Sequence, residues 1–562
     1  MSSFTNDSPL LSTSPSHPFP LTHPPPGTAL PAEHFPQNEH LPLLFTPLKI
    51  RSLELKNRIV VSPMCQYSAS STGAEAGCVN TWHTSHYLQL ATRGASLVFF
   101  EATAVSPEGR LSPQDLGLWN DTQRDKLKEL VGTMQAAGAK VGVQIGHAGR
   151  KSSTLPPWMA TSPDASKVAT NADYAGWEDE VVAPSAIPYH EATYPHPKEM
   201  TSEEIEGVKQ AFVDAARRAD EAGADVLELH AAHGYLVHNF LSPLSNQRKD
   251  KYGGSLEDRL RHPLELISLV RAAWPDHKPL FMRISGTEWH PAGEKHEKTG
   301  EWISWGIEQS KFLVREAVKF GVDLIDVSSG GNASDQAIKT GPLYQVPLAS
   351  AIRESLHADF ANSPSSSPNK PLRPALVSAV GLITTAQQAE SVLQLEEADV
   401  ITMGRQFLRD PSFVFNAAME LGVVVQVPVQ YARAFTRMLK HHSPRDDHQC
   451  HCRFEGYKEE KVGEKKTAND HGNGRIQGGV TVFEPEKARK KMGHLMERTG
   501  DLISRSSTTH DSLLVPLLSY STLTLPSRTE TTVARLGRYF QAGPGDLVAT
   551  QAASEEDEED EL

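Results

Sequence analysis

Short apolar runs rich in β-branched residues recur along the chain, and each is followed by a longer stretch with helical periodicity. Continuous apolar runs of this length are typical of parallel strands buried on both faces. Eight such runs favour an α/β fold of the (β/α)8 TIM-barrel type over a doubly wound open sheet. The predicted strands are Arg58–Ser62, Leu97–Ala102, Lys140–Ile145, Asp225–His230, Leu280–Ser285, Asp323–Ser328, Ala375–Val380 and Asp399–Met403.

The two ends of the chain differ in composition from this repeating body. Residues 1–40 are rich in Pro, Ser, Thr and His, and residues 438–562 mix charged residues with Ser and Thr. Such segments bury too little apolar surface to offset the entropy lost on ordering. We therefore expect disordered N- and C-terminal extensions on either side of a barrel domain at residues 41–437.

Charge and cysteine content exclude several classes of protein. The net charge is −14, and seven of the acids form the run Glu555–Glu561, so the body is nearly neutral and does not predict nucleic-acid binding. We find no run apolar enough to span a membrane and no signal peptide. Four cysteines in 562 residues do not indicate a disulfide framework, and we expect a cytoplasmic protein.

Several residues predict where the helices begin and end. Thr201 and Glu204 have the spacing of a capping box, Thr384 is placed to start the helix after the seventh strand, and Gly321 is placed to end the helix before the sixth. Glu101, near the end of the second strand, is expected to face the helices.

Catalytic residues of a (β/α)8 barrel lie at the carboxyl ends of the strands. Polar residues or glycines occur at this position after all eight predicted strands, which predicts a site on that rim. The candidates are Ser62, Pro63, Met64, Cys65, Tyr67, Ala102, Gln144, His230, His233, Tyr235, Arg283, Gly330, Gly381, Gly404 and Arg405.

His230 and His233 allow three interpretations. A metal pair is disfavoured because no carboxylate or cysteine follows at ligand spacing, and the spacing is not that of a zinc protease helix. The two rings could also simply pack in a polar loop. The favoured role is hydrogen bonding to an anionic or carbonyl oxygen of a ligand, and no metal is expected.

The loops after the last two strands resemble a phosphate cradle. Gly381 and Gly404 allow close backbone approach, and Arg405 adds a positive charge, although the glycines could merely turn the chain. Gln144 and Arg283 are expected to point into the barrel mouth. They suit the pyrimidine edge of a flavin, where reduction builds negative charge, but Arg283 could instead be a buried ion-pair partner.

Longer motifs occur in the order and spacing of one known family. They are Lys56–Tyr67, Glu101–Val105, Gln144 with His147–Lys151, His230–Pro243 continuing to Ser255, Asp323–Gly330, and Gly404–Arg405. Over residues 43–435 the chain resembles the Old Yellow Enzyme family of NADH:flavin oxidoreductases, and Cys65 resembles its "thermophilic-like" bacterial branch.

The resemblance implies that FMN lies across the barrel mouth. Cys65 is implied to sit near the flavin and tune its potential, although an inert buried thiol is an alternative. The implied cofactor-binding residues are Ser62, Pro63, Met64, Cys65, Ala102, Gln144, Arg283, Gly330, Gly381, Gly404 and Arg405.

The activity implied by the resemblance is that of an NAD(P)H-driven ene-reductase. NADPH or NADH would deliver hydride and leave, and an α,β-unsaturated carbonyl or similar electron-poor alkene would then be reduced in a ping-pong cycle. His230 and His233 are implied to grip the substrate oxygen, Tyr67 to contact the substrate, and Tyr235 to donate the proton.

Arg433 is implied to act across a subunit interface. It lies in Tyr431–Phe435, which matches the segment whose arginine reaches a neighbouring subunit's active site in the bacterial branch, so a homo-oligomer is expected. The chain departs from the family by continuing for more than a hundred residues beyond this point. Such a tail could block that interface.

Two further interpretations compete with an ene-reductase. One is a catalytically inactive flavin-binding or regulatory barrel. The other is an iron–sulfur dienoyl reductase, which would need a four-cysteine cluster site that Cys450 and Cys452 alone cannot supply. Cys450-His451-Cys452 could be a metal fragment, but no second ligand pair lies nearby.

Overall fold

Eight parallel strands close into one barrel in the computed structural model, which describes residues 23–160, 170, 172–362 and 374–435. Each strand pairs with the next along the chain, and the eighth pairs with the first. The predicted barrel is confirmed, and the doubly wound alternative is wrong. The strands are β1 (Ile59–Val61), β2 (Leu97–Ala104), β3 (Lys140–Gly146), β4 (Val226–Ala231), β5 (Leu280–Ser285), β6 (Leu324–Ser328), β7 (Leu376–Ala379) and β8 (Val400–Met403).

One main helix follows each strand. These helices are α1 (Thr81–Thr92), α2 (Asp121–Ala136), α3 (Ser202–Glu221), α4 (Leu256–Ala273), α5 (Ile307–Lys319), α6 (Val346–Asn362), α7 (Ala386–Gln394) and α8 (Phe413–Glu420). Thr201 and Glu204 form the predicted capping box, and Gly321 follows α5 with φ +94°. Thr385, not Thr384, caps α7, because its hydroxyl accepts from the Gln388 N–H group. Within the described ranges, we find no helix that could cross a membrane.

The barrel interior changes from apolar to polar along its axis. Side chains alternate between the two faces of a strand, so residues two positions apart point the same way. Val60, Phe99, Val226, Phe281, Leu324, Leu376 and Val400 pack together as an apolar layer. The next inward positions form a polar layer, which we define as Gln144, Glu228, Arg283, Asp326, Ser378 and Thr402; all are buried.

The last part of the predicted N-terminal arm packs on the barrel. Gly27 and Leu30 donate backbone hydrogen bonds to the carbonyls of Gln426 and Val424. The Asn38 side chain donates to the carbonyls of Leu30 and Val424, and accepts from the Val424 N–H group. Residues 23–40 thus extend the folded unit beyond the expected boundary. The predicted C-terminal tail, including Cys450 and Cys452, lies outside the described residues.

His262 of α4 is a buried histidine with no hydrogen-bond partner in the described part of the chain. Its ring stacks on Phe240 at 3.8 Å between centroids and 9° between planes. Burial, and then the charges of Lys209 and Arg248, lower its pKa to about 3. The folded state therefore keeps His262 neutral at pH values where the unfolded chain takes up a proton, so this residue destabilises the fold as pH falls below about 6.5.

We predict that His262→Phe makes folding less sensitive to acid. Phenylalanine keeps the stack on Phe240 and removes the titrating ring. Between about pH 7.5 and pH 5, the wild type should lose about 2 kcal/mol more of its free energy of unfolding than the variant. Urea denaturation at several pH values measures this, with the exposed His196→Phe as control. Parallel curves for wild type and His262→Phe would contradict the assignment.

Candidate active site

A cavity of about 290 Å³ opens at the carboxyl end of the barrel, between the loops that follow β1, β4, β6, β7 and β8, with Arg283 of β5 also on its lining. A second, smaller cavity contains Cys65, Ala102 and Tyr235, together with Asp115 and His147. The loops thus bring most of the predicted residues to two neighbouring parts of one rim. The predicted residues in the larger cavity are Ser62, Pro63, Met64, His233, Arg283, Gly381, Gly404 and Arg405.

Arg283 links the cavity to the polar layer beneath it. Its Nη2 donates to Ser62 Oγ at 2.8 Å, and its Nε lies 3.0 Å from Asp326 Oδ2. Arg283 is thus a buried ion-pair partner that also lines the cavity, and its place at the pyrimidine edge of a flavin stays a prediction. A guanidinium fixed in this way supplies positive charge at the floor of the cavity.

The glycine-rich end of the cavity suits an anion. Gly381 has φ +125°, and a Cβ there would lie 3.0 Å from Gln345 Cβ, so a side chain would be both strained and crowded. Gly404 directly precedes the short helix Arg405–Arg409, whose first N–H groups have no partner within the helix. With Arg405 also on the lining, the arrangement fits a phosphate group.

His230 and His233 lie side by side next to Tyr235. Their ring centroids are 5.2 Å apart, and His230 is 4.7 Å from the Tyr235 ring. The Ala232 N–H group donates to His230 Nδ1 at 3.3 Å, so the ring proton of His230 is on Nε2. His233 Nε2 lies 2.8 Å from Ser328 Oγ.

Both histidines are held neutral. Burial lowers the pKa of His230 well below its usual value, and Arg283 lowers it further; burial and His230 do the same to the pKa of His233. At neutral pH each ring is thus a hydrogen-bond donor without a net charge. Among the described residues, no group of three possible metal ligands occurs.

Cys65 is a protonated thiol rather than a thiolate. Burial, followed by the nearby carboxylates Asp115 and Glu101, raises its pKa well above the usual value. A hydrogen bond joins its side chain to Tyr67, whose φ is +49° and whose ring meets Trp158 edge to face at 5.6 Å. The Cys65 thiol and the Tyr67 ring thus lie together at the mouth of the barrel.

Glu101 faces the helices, as expected, and holds the loop that carries Cys65. A register shift in β2 between Phe100 and Thr103 turns this carboxylate out of the barrel. It accepts hydrogen bonds from the Tyr87 hydroxyl at 3.0 Å and from the Gln66 N–H group at 3.1 Å.

Five predicted residues are not on the lining of either cavity: Tyr67 and His230, described above, and Gln144, Gly330 and Arg433. Gln144 is buried and donates its amide N–H to Glu228 Oε1 at 2.8 Å. The Gly330 N–H group donates to the Thr287 carbonyl, so it is already engaged. Arg433 is exposed in the 3-10 helix Val429–Phe435.

Sequence reasoning assigned no role to four residues of the site. Lys151 donates to the carbonyls of His233 and Gly331, and burial lowers its pKa to about 7. Asp115 lines the smaller cavity, and Ser328 bonds His233. Glu228 lies in the polar layer. The sequence carries a signal for two of them. Lys151 is the last residue of a motif shared with the family, and Glu228 is an acid inside an otherwise apolar strand.

Comparison with known proteins identifies the family. A sequence profile of the NADH:flavin oxidoreductase / NADH oxidase family matches residues 43–422. The chain belongs to this family. It is 43% identical to an NADH:flavin oxidoreductase of Gibberella zeae over 396 residues, covering 70% of this chain and 89% of that protein. It is also 43% identical to an NADPH dehydrogenase of Geobacillus thermodenitrificans over 393 residues, covering 70% and 98%.

Solved structures share the fold of this NADH:flavin oxidoreductase. A complex of 2-naphthoyl-CoA reductase has a TM-score of 0.56 at 23% identity, covering 67% of this chain and 52% of that reductase. Morphinone reductase has a TM-score of 0.51 at 24% identity, covering 69% and 91%. Family membership confirms the resemblance to Old Yellow Enzymes, the oxidoreductase class, and FMN with a nicotinamide nucleotide as its hydride donor.

The residues present fit FMN. The crowded, positive-φ Gly381 and the cationic Arg405 suit its phosphate, and Arg283 supplies a fixed charge at the cavity floor.

We predict that removing both histidine donors weakens binding of a phenolic ligand such as 4-hydroxybenzaldehyde. Hydrogen bonds to a charged oxygen contribute about 1.5–3 kcal/mol each, so the His230→Ala/His233→Ala variant should bind at least about tenfold more weakly. Calorimetric titration of the FMN-loaded protein measures the affinity. His233→Asn keeps a donor and serves as the matched control. Equal affinity of wild type and double variant would contradict the role of the pair.

Proposed function

We propose that this protein is an FMN-dependent NAD(P)H ene-reductase, which reduces the C=C bond of α,β-unsaturated carbonyls or related electron-poor alkenes. The observation that carries the proposal is a pair of neutral imidazole donors beside a protonated phenol, at the rim of a cavity whose lining suits a phosphate. The relatives named NADPH dehydrogenase support NADPH as the donor.

His230 and His233 activate the substrate in this proposal. A carbonyl oxygen that accepts hydrogen bonds from both rings gains negative charge as the alkene is reduced, and uncharged donors aimed at it stabilise that charge. Lys151, fixed on the His233 carbonyl oxygen, adds positive charge nearby when it is protonated. His233 Nε2 must exchange its bond to Ser328 for one to the substrate, or use its other ring nitrogen.

Tyr235 completes the reduction by donating a proton to the α-carbon. Burial raises the pKa of its phenol well above the usual value, so the proton is present across the physiological range. FMN held at this site would supply the hydride chemistry, with the nicotinamide nucleotide as the source of the hydride. The substrate would contact Tyr67 and the exposed ring of Trp158, which pack against each other.

An inactive flavin-binding or regulatory barrel is the alternative. Such a protein would have no use for neutral donors, a protonated phenol and a cationic floor arranged around one cavity, so the observations favour the enzyme.

The two half-reactions test the proposed function directly. Under anaerobic conditions, NADPH should bleach the flavin absorbance, and 2-cyclohexenone added next should restore it. A flavin that NADPH reduces but the enone does not reoxidise would contradict the ene-reductase assignment. NADH in place of NADPH, at equal concentration, establishes which nucleotide is preferred.

We further propose a homo-oligomer in which Arg433 enters a neighbouring site. Arg433 is exposed, and its segment is anchored on both sides, with Tyr431 under the Arg93 guanidinium at 4.8 Å and Phe435 against Phe415 at 5.5 Å. Anchoring of this kind would hold the arginine in one place for a second subunit.

Mixing two variants of reduced activity tests the shared site. Arg433→Ala should lower kcat/KM without loss of FMN, and so should His230→Ala/His233→Ala. Mixed oligomers contain sites with intact histidines and an intact partner arginine, so activity should return on mixing. Two separately prepared Arg433→Ala samples provide the control. A monomer by solution scattering, or no recovery on mixing, would contradict the proposal.

A further inference from the structure

The polar layer of the barrel holds two carboxyl groups and one guanidinium. Glu228, Asp326 and Arg283 are at most 5% exposed, and they come from neighbouring strands β4, β6 and β5. Their side chains point into the barrel between the apolar layer below and the FMN cavity above. The charges in this layer therefore act on the cofactor through a medium that contains little water.

The hydrogen bonds divide the layer into an ion pair and a neutral group. Arg283 Nε lies 3.0 Å from Asp326 Oδ2, and Asp326 is also bonded by the Ser378 hydroxyl. Glu228 instead accepts from the Gln144 amide at 2.8 Å. Within the described chain, no cation lies within ion-pairing distance of Glu228.

Charge balance predicts which acid keeps a proton. With both acids ionised the layer would carry a net negative charge, and burying an unpaired carboxylate costs several kcal/mol. Burial, and then the charge of Asp326, raise the pKa of Glu228 to about 8, while Arg283 opposes the shift. His230, the other titratable group nearby on β4, stays neutral. Burial raises the pKa of Asp326 as well, but Arg283 and the Ser378 hydroxyl favour its ionised form, so the proton stays on Glu228 and the layer is uncharged at neutral pH.

We propose that Glu228 is a positioning residue of the flavin site, which as a neutral acid fixes the Gln144 amide and leaves Asp326 as the one counter-charge to Arg283. This inference rests on FMN occupying the cavity. The amide of Gln144 gives one N–H to Glu228, so its carbonyl oxygen and second N–H remain for the cofactor. Reduction of FMN adds negative charge, which a neutral Glu228 tolerates and an ionised one opposes.

The FMN potential as a function of pH tests this role without any alkene. The potential of the wild type should fall more steeply with pH above about 8, where Glu228 loses its proton. Glu228→Gln should lack this extra steepness and match the wild type at about pH 6.5, since glutamine is a permanent neutral analogue. Asp323→Asn, at the opposite end of the barrel, is the matched control. It should keep the bend, by which we mean the steeper fall of the potential above about pH 8.

Infrared spectroscopy gives a second readout, which needs no flavin. The wild type at neutral pH should show the band of a protonated carboxyl group that shifts on deuteration, and Glu228→Gln should lose it.

A wild-type potential with no extra slope up to about pH 9.5, or a bend that persists in Glu228→Gln, would overturn the inference. If Glu228→Gln fails to fold, the pH dependence of the wild-type FMN potential still tests the inference. If the FMN potential falls more steeply above about pH 8 but the enone is not reduced, the proposed substrate class is wrong and this inference still holds.

Discussion

The buried guanidinium of Arg283 is the interaction on which the site depends. It lies where the barrel interior changes from apolar to polar, paired with Asp326 and bonded to Ser62. A buried charge is tolerated only when its partners are correctly placed. Strands β1, β5 and β6 must therefore keep their register, because a shift of one residue would turn every inward side chain outward. The same register sets which residues reach the rim above.

The electrostatics of the rim follow from this floor. Burial and the Arg283 charge keep His230 neutral, and burial, together with the nearby charge of Arg283, keeps His233 neutral as well. The outcome is a set of uncharged donors above a buried cation, Arg283, that is paired with Asp326. Such a set costs little to bury, and it responds strongly when a bound substrate and cofactor gain negative charge.

The sequence predicts the barrel and most of the rim because both depend on local patterns. All eight strands were placed within two residues of their ends, since continuous apolar runs mark strands buried on both faces. The packing of residues 23–40 was missed because backbone hydrogen bonds to residues 424–426 hold it, and composition does not record them.

The polar layer shows where sequence reasoning ends. Gln144 and Arg283 were expected to point inward, but their partners Glu228 and Asp326 emerge only when strands distant in sequence are paired. Gly330 was chosen by position after a strand, yet its N–H group is taken by Thr287. Which rim groups remain available to a ligand is a tertiary property that no single strand specifies.

The central claim is that the charged floor and the glycine-rich end of this barrel hold one FMN. Its most direct test is to denature the purified protein and to identify and count the flavin released. The account predicts FMN, at about one molecule per chain, and rebinding of FMN to the stripped protein. Release of FAD, or a colourless protein that FMN does not bind, would contradict it.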